Sequence, residues 1–332
     1  MIKEYNGVMV YAEQKNGKIH PVTYELLNKG GELAKTLGVS LMVVIMGPKG
    51  MDLKDLIYHG ADKVYHVSSD ELFNMPEESV FAQNFSNLIQ DVKPEICLFG
   101  ATTFGRSLAP RIAAAQGCGM TADCTDLKID SDGLLIQVRP AFSENIFAHI
   151  KSRTQPQMST VRYKEFNPSL RDESRVGEII EIQGEALLNP QVRVLEKLIT
   201  DEFDITGYKV VVSGGKGVKS PDDMRLIEEL ATLLGGAVGA SRAIVDEGYA
   251  SKPHQVGYSG NRVKPDLYIA AGISGAPQHL AVMKEAGIIV AINTDPSAPI
   301  FNIADIGIVG DLYEVIPYLI QSVKEAKIKK LG

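Results

Sequence analysis

The sequence predicts an α/β protein with two domains, each built on a mainly parallel sheet. Short, continuously apolar runs alternate with longer amphipathic stretches in both halves of the 332-residue chain. Apolar strands that alternate with helices indicate a parallel sheet covered on both faces. A polar, mixed stretch at about 165–205 separates the two halves. We therefore predict an N-terminal domain over 1–200 and a C-terminal domain over 201–332.

The first domain begins with a regular strand–helix alternation. Its apolar runs predict strands at 7–12, 40–47, 63–67 and 94–100. Apolar residues at helical spacing predict helices that end at Gly38 and Gly117, with shorter helices at 52–59 and 81–91. Crossovers between such strands are expected to be right-handed.

The pattern changes after residue 122. Shorter apolar runs predict strands at 127–130, 134–138 and 157–161, and Asp132-Gly133 is a strong hairpin signal. We expect these three strands to form an antiparallel extension of the first sheet.

The C-terminal domain resumes the alternation. We predict strands at 208–212, 237–240, 267–271, 288–292 and 306–309, and helices at 222–234, 278–286 and 317–330. This arrangement is typical of a doubly wound, Rossmann-like domain, in which ligands bind beyond the carboxyl ends of the strands.

Composition excludes several classes of function. The net charge of −7 and the pI near 5.5 argue against a nucleic-acid binder, because phosphate binding needs a basic surface. The sequence contains no apolar run long enough to cross a bilayer, and its first residues lack a signal-peptide layout. The three cysteines form no Cys-x-x-Cys pair, so we expect no metal site. We expect a cytosolic protein.

The strongest motif is a glycine turn between a strand and a helix. Gly272-Ile273-Ser274-Gly275-Ala276-Pro277-Gln278-His279 follows the apolar run at 267–271. Free backbone N–H groups and the helix dipole at such a turn favour an anion such as a pyrophosphate. Gln278 and His279 add side chains that could contact a flavin or nicotinamide ring.

Polar and glycine residues also follow the other C-terminal strands. They include 213–217, Ser241-Arg242, Asn293-Thr294-Asp295 and Gly310-Asp311, and a further loop spans 254–260. Two glycine turns and two cations at one edge suit a dinucleotide. The sequence shows no nucleophile elbow, no His-Glu-x-x-His and no carboxylate pair, which favours chemistry performed by a bound cofactor.

At this point the C-terminal sequence resembles the alpha subunit of electron transfer flavoproteins. The matching segments are 213–217, 238–242, 255–257, 272–279, 291–296, 298–301 and 304–305. The resemblance is dense over 207–313 and looser across the first domain. It implies an FAD held mainly by the second domain, a beta subunit as obligate partner and an acyl-CoA dehydrogenase-type flavoenzyme as electron donor or acceptor.

The resemblance also implies roles for particular residues. Arg242 would lie by the isoalloxazine and favour its anionic reduced forms, Ser259 would approach N5, and His279 would lie near the pyrimidine carbonyl. Gln278, Ser274 and Asn293 would hold the ribityl, pyrophosphate and adenosine parts, with Asp311 toward the adenosine end. The full set of expected FAD-binding residues is Lys216, Gly217, Ser241, Arg242, Gln255, Val256, Gly257, Tyr258, Ser259, Gly260, Gly272, Ser274, Gly275, Ala276, Gln278, His279, Asn293 and Asp311.

Two positions depart from the pattern of many family members. Lys216 stands where Arg is common, and Tyr258-Ser259 stands where Gln-Thr is common. The second variant resembles the anaerobic bacterial branch, in which the beta subunit carries another FAD and electrons from NADH are bifurcated.

Two other functions stay open at the level of sequence. An NAD-dependent enzyme on a Rossmann-like domain would need a catalytic base, for which Lys216 and Lys252 are the nearby candidates. A nucleotide sensor would use the first domain, but no glycine-rich loop follows its first strand at 12–15. For an electron carrier, the polar stretch at 190–205 is the expected hinge.

Overall fold

The computed structural model describes residues 4–73, 77–141, 143–187 and 203–331. Contacts divide the chain into two compact units, Met1–Leu198 and Ile199–Gly332. The predicted α/β class, with a parallel sheet in each half, is confirmed. The boundary predicted near residue 200 and most of the predicted hinge lie outside the described residues.

The first unit alternates strands and helices, and then adds several strands in succession. Its helices are α1 (Val22–Leu37), α2 (Lys54–Tyr58), α3 (Glu78–Val92) and α4 (Thr103–Gln116). Its strands are β1 (Val8–Ala12), β2 (Gln14–Lys15), β3 (Lys18–Ile19), β4 (Leu41–Gly47), β5 (Lys63–Ser68), β6 (Ile96–Gly100), β7 (Met120–Cys124), β8 (Asp126–Ile129), β9 (Leu135–Ala141), β10 (Ser143–Lys151), β11 (Gln157–Val161) and β12 (Glu178–Gln183).

Within the described residues, the main sheet has the order β12-β5-β4-β1-β6-β11-β7, and its pairings are parallel. Alternate residues of β1 enter different layers of core, because side chains alternate along a strand. Val8 and Val10 share a cluster with the α1 residue Leu26. Met9 and Tyr11 belong to the second cluster, together with residues of α3 and α4. Burial on both faces explains the continuous apolar runs of the sequence.

The predicted antiparallel extension is wrong in two respects. β8, β9 and β10 form a separate three-stranded antiparallel sheet. β11 instead lies inside the main sheet, parallel to β6 on one side and β7 on the other. Its polar residues Gln157 and Ser159 are typical of a half-exposed strand, yet both are buried, and Gln157 Oε1 accepts a hydrogen bond from the Leu135 N–H at 2.8 Å. Five further strands of this unit, β2, β3, β7, β10 and β12, were not predicted.

The second unit contains the predicted doubly wound sheet. Its strands are β13 (Val210–Gly214), β14 (Ala237–Ser241), β15 (Gln255–Val256), β16 (Leu267–Ala271), β17 (Ile288–Asn293) and β18 (Ile306–Val309). Its helices are α5 (Met224–Leu233), α6 (Arg242–Asp246), α7 (Pro277–Leu280) and α8 (Leu312–Leu331).

This second sheet has the order β15-β14-β13-β16-β17-β18 and is parallel throughout the described strands. The chain runs outward from β13 through β14 to β15, and then returns to the other side of β13 to form β16. The strand order therefore reverses between β13 and β16. A crevice is expected beyond their carboxyl ends, at this topological switch point.

The helix predicted at 278–286 is shorter than expected. It is the single turn α7, and residues 281–286 continue as turns. The Val263 N–H donates to the Val282 carbonyl at 3.0 Å, which draws this segment out of a regular helix. An argument from the dipole of a long helix therefore does not apply to the glycine turn. The last helix, in contrast, begins at Leu312, five residues earlier than predicted.

Candidate functional site

A cavity of about 760 Å³ opens beyond the carboxyl edge of the second sheet. Its lining residues follow β13, β14, β16, β17 and β18, and others come from the loop after β15. The cavity thus includes the switch point between β13 and β16. Its volume is within the range of small-molecule and cofactor sites.

Fifteen of the eighteen predicted residues line this cavity. The remaining three, Gln255, Gly260 and Gly275, are described by the structure but are not lining residues. Gly275 has a φ of +89°, and a Cβ there would lie 2.4 Å from the backbone nitrogen of Ile300. Gly260 similarly approaches the carbonyl of Gln255. These two glycines shape the loops rather than contact the cavity.

The two glycine turns touch each other through backbone atoms. The Gly217 N–H donates to the Gly272 carbonyl at 3.0 Å. A Cβ on Gly215 would lie 2.4 Å from that same carbonyl oxygen, and a Cβ on Gly217 would lie 2.7 Å from the Gly272 Cα. Gly272 itself has a φ of +65°. Side chains at these positions would push the two turns apart. Because the residues are glycines, the turns pack together and present backbone atoms to the cavity at the switch point.

His279 is held as a neutral imidazole in the cavity wall. It is 6% exposed, with Nδ1 3.0 Å from the Val256 carbonyl and Nε2 2.9 Å from the Tyr268 hydroxyl. A carbonyl can only accept, so Nδ1 carries the proton and Nε2 accepts from Tyr268. Burial lowers the pKa of His279 to about 4. Both ring nitrogens are thus engaged by the protein, which was not expected from the sequence.

The charged side chains of the lining are mainly cationic. They are Lys216, Lys219 and Arg242, against the single carboxylate of Asp311. Arg242 Nε lies 3.2 Å from Asp246, and Lys216 Nζ lies 3.8 Å from Glu247. Three cations and one carboxylate in the lining of a chain of net charge −7 favour an anionic ligand.

Polar side chains of the lining also brace the turns. Asn293 Nδ2 donates to the Ile273 carbonyl at 2.9 Å and so holds the turn after β16. Asp311 Oδ1 accepts from the Tyr313 N–H at 3.0 Å at the start of α8.

The structure adds lining residues that were not among the eighteen. They are Lys219, Ala243, Ile273, Ile292, Thr294, Gly310 and Leu312. Most adjoin a predicted residue, so widening each motif by one position could have found them. Lys219 lies between the first glycine turn and the Pro221–Asp223 turn, and its Nζ is 4.6 Å from the Tyr313 ring centroid. Its position between two predicted turns was the sequence feature that could have indicated Lys219 as a lining residue.

A doubly wound sheet with a net-positive cavity at its switch point defines a dinucleotide-binding protein. Two family models match the chain. The electron transfer flavoprotein domain matches residues 8–187, and the electron transfer flavoprotein FAD-binding domain matches residues 204–284.

Curated relatives agree with these matches. The chain is 46% identical over 331 residues to the electron transfer flavoprotein subunit alpha of Thermoanaerobacterium thermosaccharolyticum, covering 98% of this chain and 100% of the relative. It is 44% identical to the subunit of the same name from Clostridium acetobutylicum, covering 97% and 98%. It is 41% identical to the lactate dehydrogenase (NAD(+),ferredoxin) subunit LctC of Acetobacterium woodii, covering 96% and 77%.

The chain belongs to the electron transfer flavoprotein family, and its second unit contains that family's FAD-binding domain. The cavity fits FAD on structural grounds. The lining carries three cations, the glycine turns permit close backbone approach, and the volume suits a ligand of this class.

Among the described residues, no helix is both long enough and apolar enough to cross a membrane. No group of three or more His, Cys, Asp or Glu side chains there could hold a metal ion.

Proposed function

We propose that this chain is the alpha subunit of a heterodimeric electron transfer flavoprotein and carries electrons on an FAD bound in its second unit. The supporting observation is the net-positive cavity at the switch point, in the same unit as the FAD-binding domain. When bound, FAD supplies the redox chemistry by accepting and releasing electrons.

The residues of the chain would bind and orient that cofactor. The turns at Gly217 and Gly272 would let the pyrophosphate approach the backbone closely, and Lys216 and Lys219 would offer compensating charge. Arg242, Ser241 and the loop that contains Ser259 would surround the ring end. A cation there would stabilise electron density added to the ring.

The beta subunit is the expected partner, because the family's alpha subunit functions in that pair. We propose that the first unit supplies much of the contact. The supporting feature is an exposed apolar group on β10, formed by Ile146, Phe147 and Ile150, which are 56%, 52% and 36% exposed. β10 is an edge strand of its sheet, so its outer side is also open to pairing.

The donor or acceptor is proposed to be an acyl-CoA dehydrogenase-type flavoenzyme, with NADH-dependent electron bifurcation as a further possibility for the complex. Similarity to a subunit named for NAD(+) and ferredoxin, over 96% of this chain and 77% of that relative, supports the second idea. Tyr258, which is 73% exposed at the cavity, is the residue that resembles the anaerobic branch. A cytosolic location is proposed from charge and composition.

The test is co-expression with the cognate beta subunit, followed by absorbance spectroscopy and reduction assays. We expect a flavin spectrum, and reduction of the FAD by a dehydrogenase with its acyl-CoA substrate but not by the substrate alone. NADH oxidation that requires ferredoxin would identify bifurcation. A pure heterodimer that contains no flavin and binds none when FAD is added would contradict the proposal.

Contacts within each unit disfavour the two other functions. Lys252 donates to Gln255 Oε1 at 2.7 Å and does not line the cavity, so this candidate base is not placed to act on a ligand there. In the first unit the Glu13 carboxylate bonds to Thr102, the N-cap of α4. The N-terminus of α4, where a nucleotide sensor would be expected to bind a phosphate, is therefore already next to a carboxylate of the chain itself.

A further inference from the structure

A buried amide connects an exposed cation to a hydroxyl on the cavity wall. Lys252 Nζ donates to Gln255 Oε1 at 2.7 Å, and Gln255 Nε2 donates to Ser259 Oγ at 2.9 Å. Gln255 is completely buried, whereas Ser259 lines the cavity. We call these three residues the Lys252 relay.

The chemistry of the donors fixes the direction of the relay. An ammonium group can only donate, so the amide oxygen of Gln255 must face Lys252. The amide NH₂ then faces Ser259, whose oxygen accepts. The hydroxyl hydrogen of Ser259 is left free to donate elsewhere, and the open side of this residue is the cavity.

Backbone contacts hold the loop in this arrangement. The Asn261 side chain donates to the Pro253 carbonyl at 2.6 Å, and the Asn261 N–H donates to the Gln255 carbonyl at 2.7 Å. A Cβ on Gly260 would lie 2.4 Å from that same Gln255 carbonyl oxygen. The two ends of the loop are thereby tied together, which keeps Gln255 and Ser259 close to each other.

We propose that Lys252 and Gln255 are positioning residues that hold the Ser259 hydroxyl as a hydrogen-bond donor toward the bound cofactor. This inference rests on the proposed FAD function of the cavity. A donor directed at the cofactor ring stabilises the electron density gained on reduction. The relay therefore raises the midpoint potential of the bound FAD, although neither Lys252 nor Gln255 lines the cavity.

The sharpest test is Gln255→Glu, which preserves shape but reverses the relay. A carboxylate accepts from Lys252 and also from Ser259, so the hydroxyl hydrogen turns away from the cavity. Redox titration of the FAD-loaded heterodimer should show a lower midpoint potential for Q255E than for the wild type. The fall caused by Q255E should be larger in the wild-type background than in the S259A background, because the charge of the carboxylate acts in both and the relay acts only where Ser259 is present.

Two single-lysine variants complete the experiment. K252M frees the Gln255 amide to rotate. The midpoint potential of its FAD should therefore also fall, by a smaller amount than in Q255E. K324M removes another exposed lysine, which lies on α8 and pairs with Glu229 of α5 at 2.7 Å, and it should leave the midpoint unchanged. If Q255E fails to retain FAD, K252M decides the question, because its side chain is exposed.

Wild-type midpoints in Q255E and K252M, or in S259A, would overturn the relay while leaving FAD binding intact. A wild-type heterodimer without FAD would instead overturn the proposed function itself. The two failures are therefore distinguishable in the same set of samples.

Discussion

Replacing the buried imidazole of His279 should change how the stability of the protein depends on pH. Burial lowers the pKa of His279 from its usual 6.5 to about 4. Between these values the unfolded chain binds a proton that the folded chain does not. The stabilisation is therefore complete above pH 6.5 and is lost as the pH falls toward 4.

The size of the effect follows from that pKa difference. Lowering the pH from 7 to 5 should cost the wild type about 2 kcal/mol of unfolding free energy through His279 alone, since one pKa unit corresponds to about 1.36 kcal/mol. His279→Asn does not titrate in this range, and its amide can still donate to the Val256 carbonyl. The variant should start with lower stability at pH 7 and show a correspondingly smaller loss at pH 5.

Urea unfolding of the FAD-loaded heterodimer at the two pH values measures this difference. An H279N variant that loses as much stability as the wild type between pH 7 and 5 would refute the reasoning. An NMR titration that gives the His279 imidazole a pKa near 6.5 would also refute it.

Three further predictions concern the cofactor and the partner. Arg242→Ala should lower the midpoint potential of bound FAD by tens of millivolts, because about 1.4 kcal/mol corresponds to about 30 mV for two electrons; an unchanged redox titration would place Arg242 away from the ring. Gly272→Ala should abolish FAD binding, since its Cβ would lie 2.7 Å from the Gly217 Cα, whereas Gly235→Ala, at a similar φ of +66° with no neighbour within 4 Å, should retain FAD. Equal FAD content in both variants would contradict the packing argument. Expressed without its beta subunit, the chain should be insoluble or partly unfolded; a monodisperse, flavin-loaded monomer in sedimentation would count against this.

Strands with purely apolar runs could be predicted closely from the sequence. The predicted 267–271 agrees with β16, a largely buried strand, and the predicted 306–309 agrees with β18, a mostly exposed edge strand, because a short apolar run between turn residues predicts a strand from local composition alone. β11 could not be placed in the same way. The burial of Gln157 and Ser159 depends on neighbours that are distant in sequence, including Leu135. Pattern reasoning has no access to such contacts.

The candidate site was predictable to the extent that it follows the sheet. Residues directly after a strand, such as Gly272 and Arg242, are brought together by any parallel topology. The direction of side chains within loops is not encoded so simply. Gln255 turns into the protein instead of the cavity, and the ring nitrogens of His279 bind Val256 and Tyr268. These choices arise from hydrogen bonds that form only in the folded domain.

The central position of β11 has a consequence for folding during synthesis. β6 and β7 leave the ribosome well before Gln157–Val161, yet they do not pair with each other in the main sheet. Until that segment arrives, the buried residues of β6 on this side have no strand partner. A nascent chain that ends before residue 157 should therefore expose an unpaired apolar strand edge, which chaperones recognise and which favours aggregation. Residues near 157–161 thus mark the point at which the growing chain can first complete the interior of this sheet.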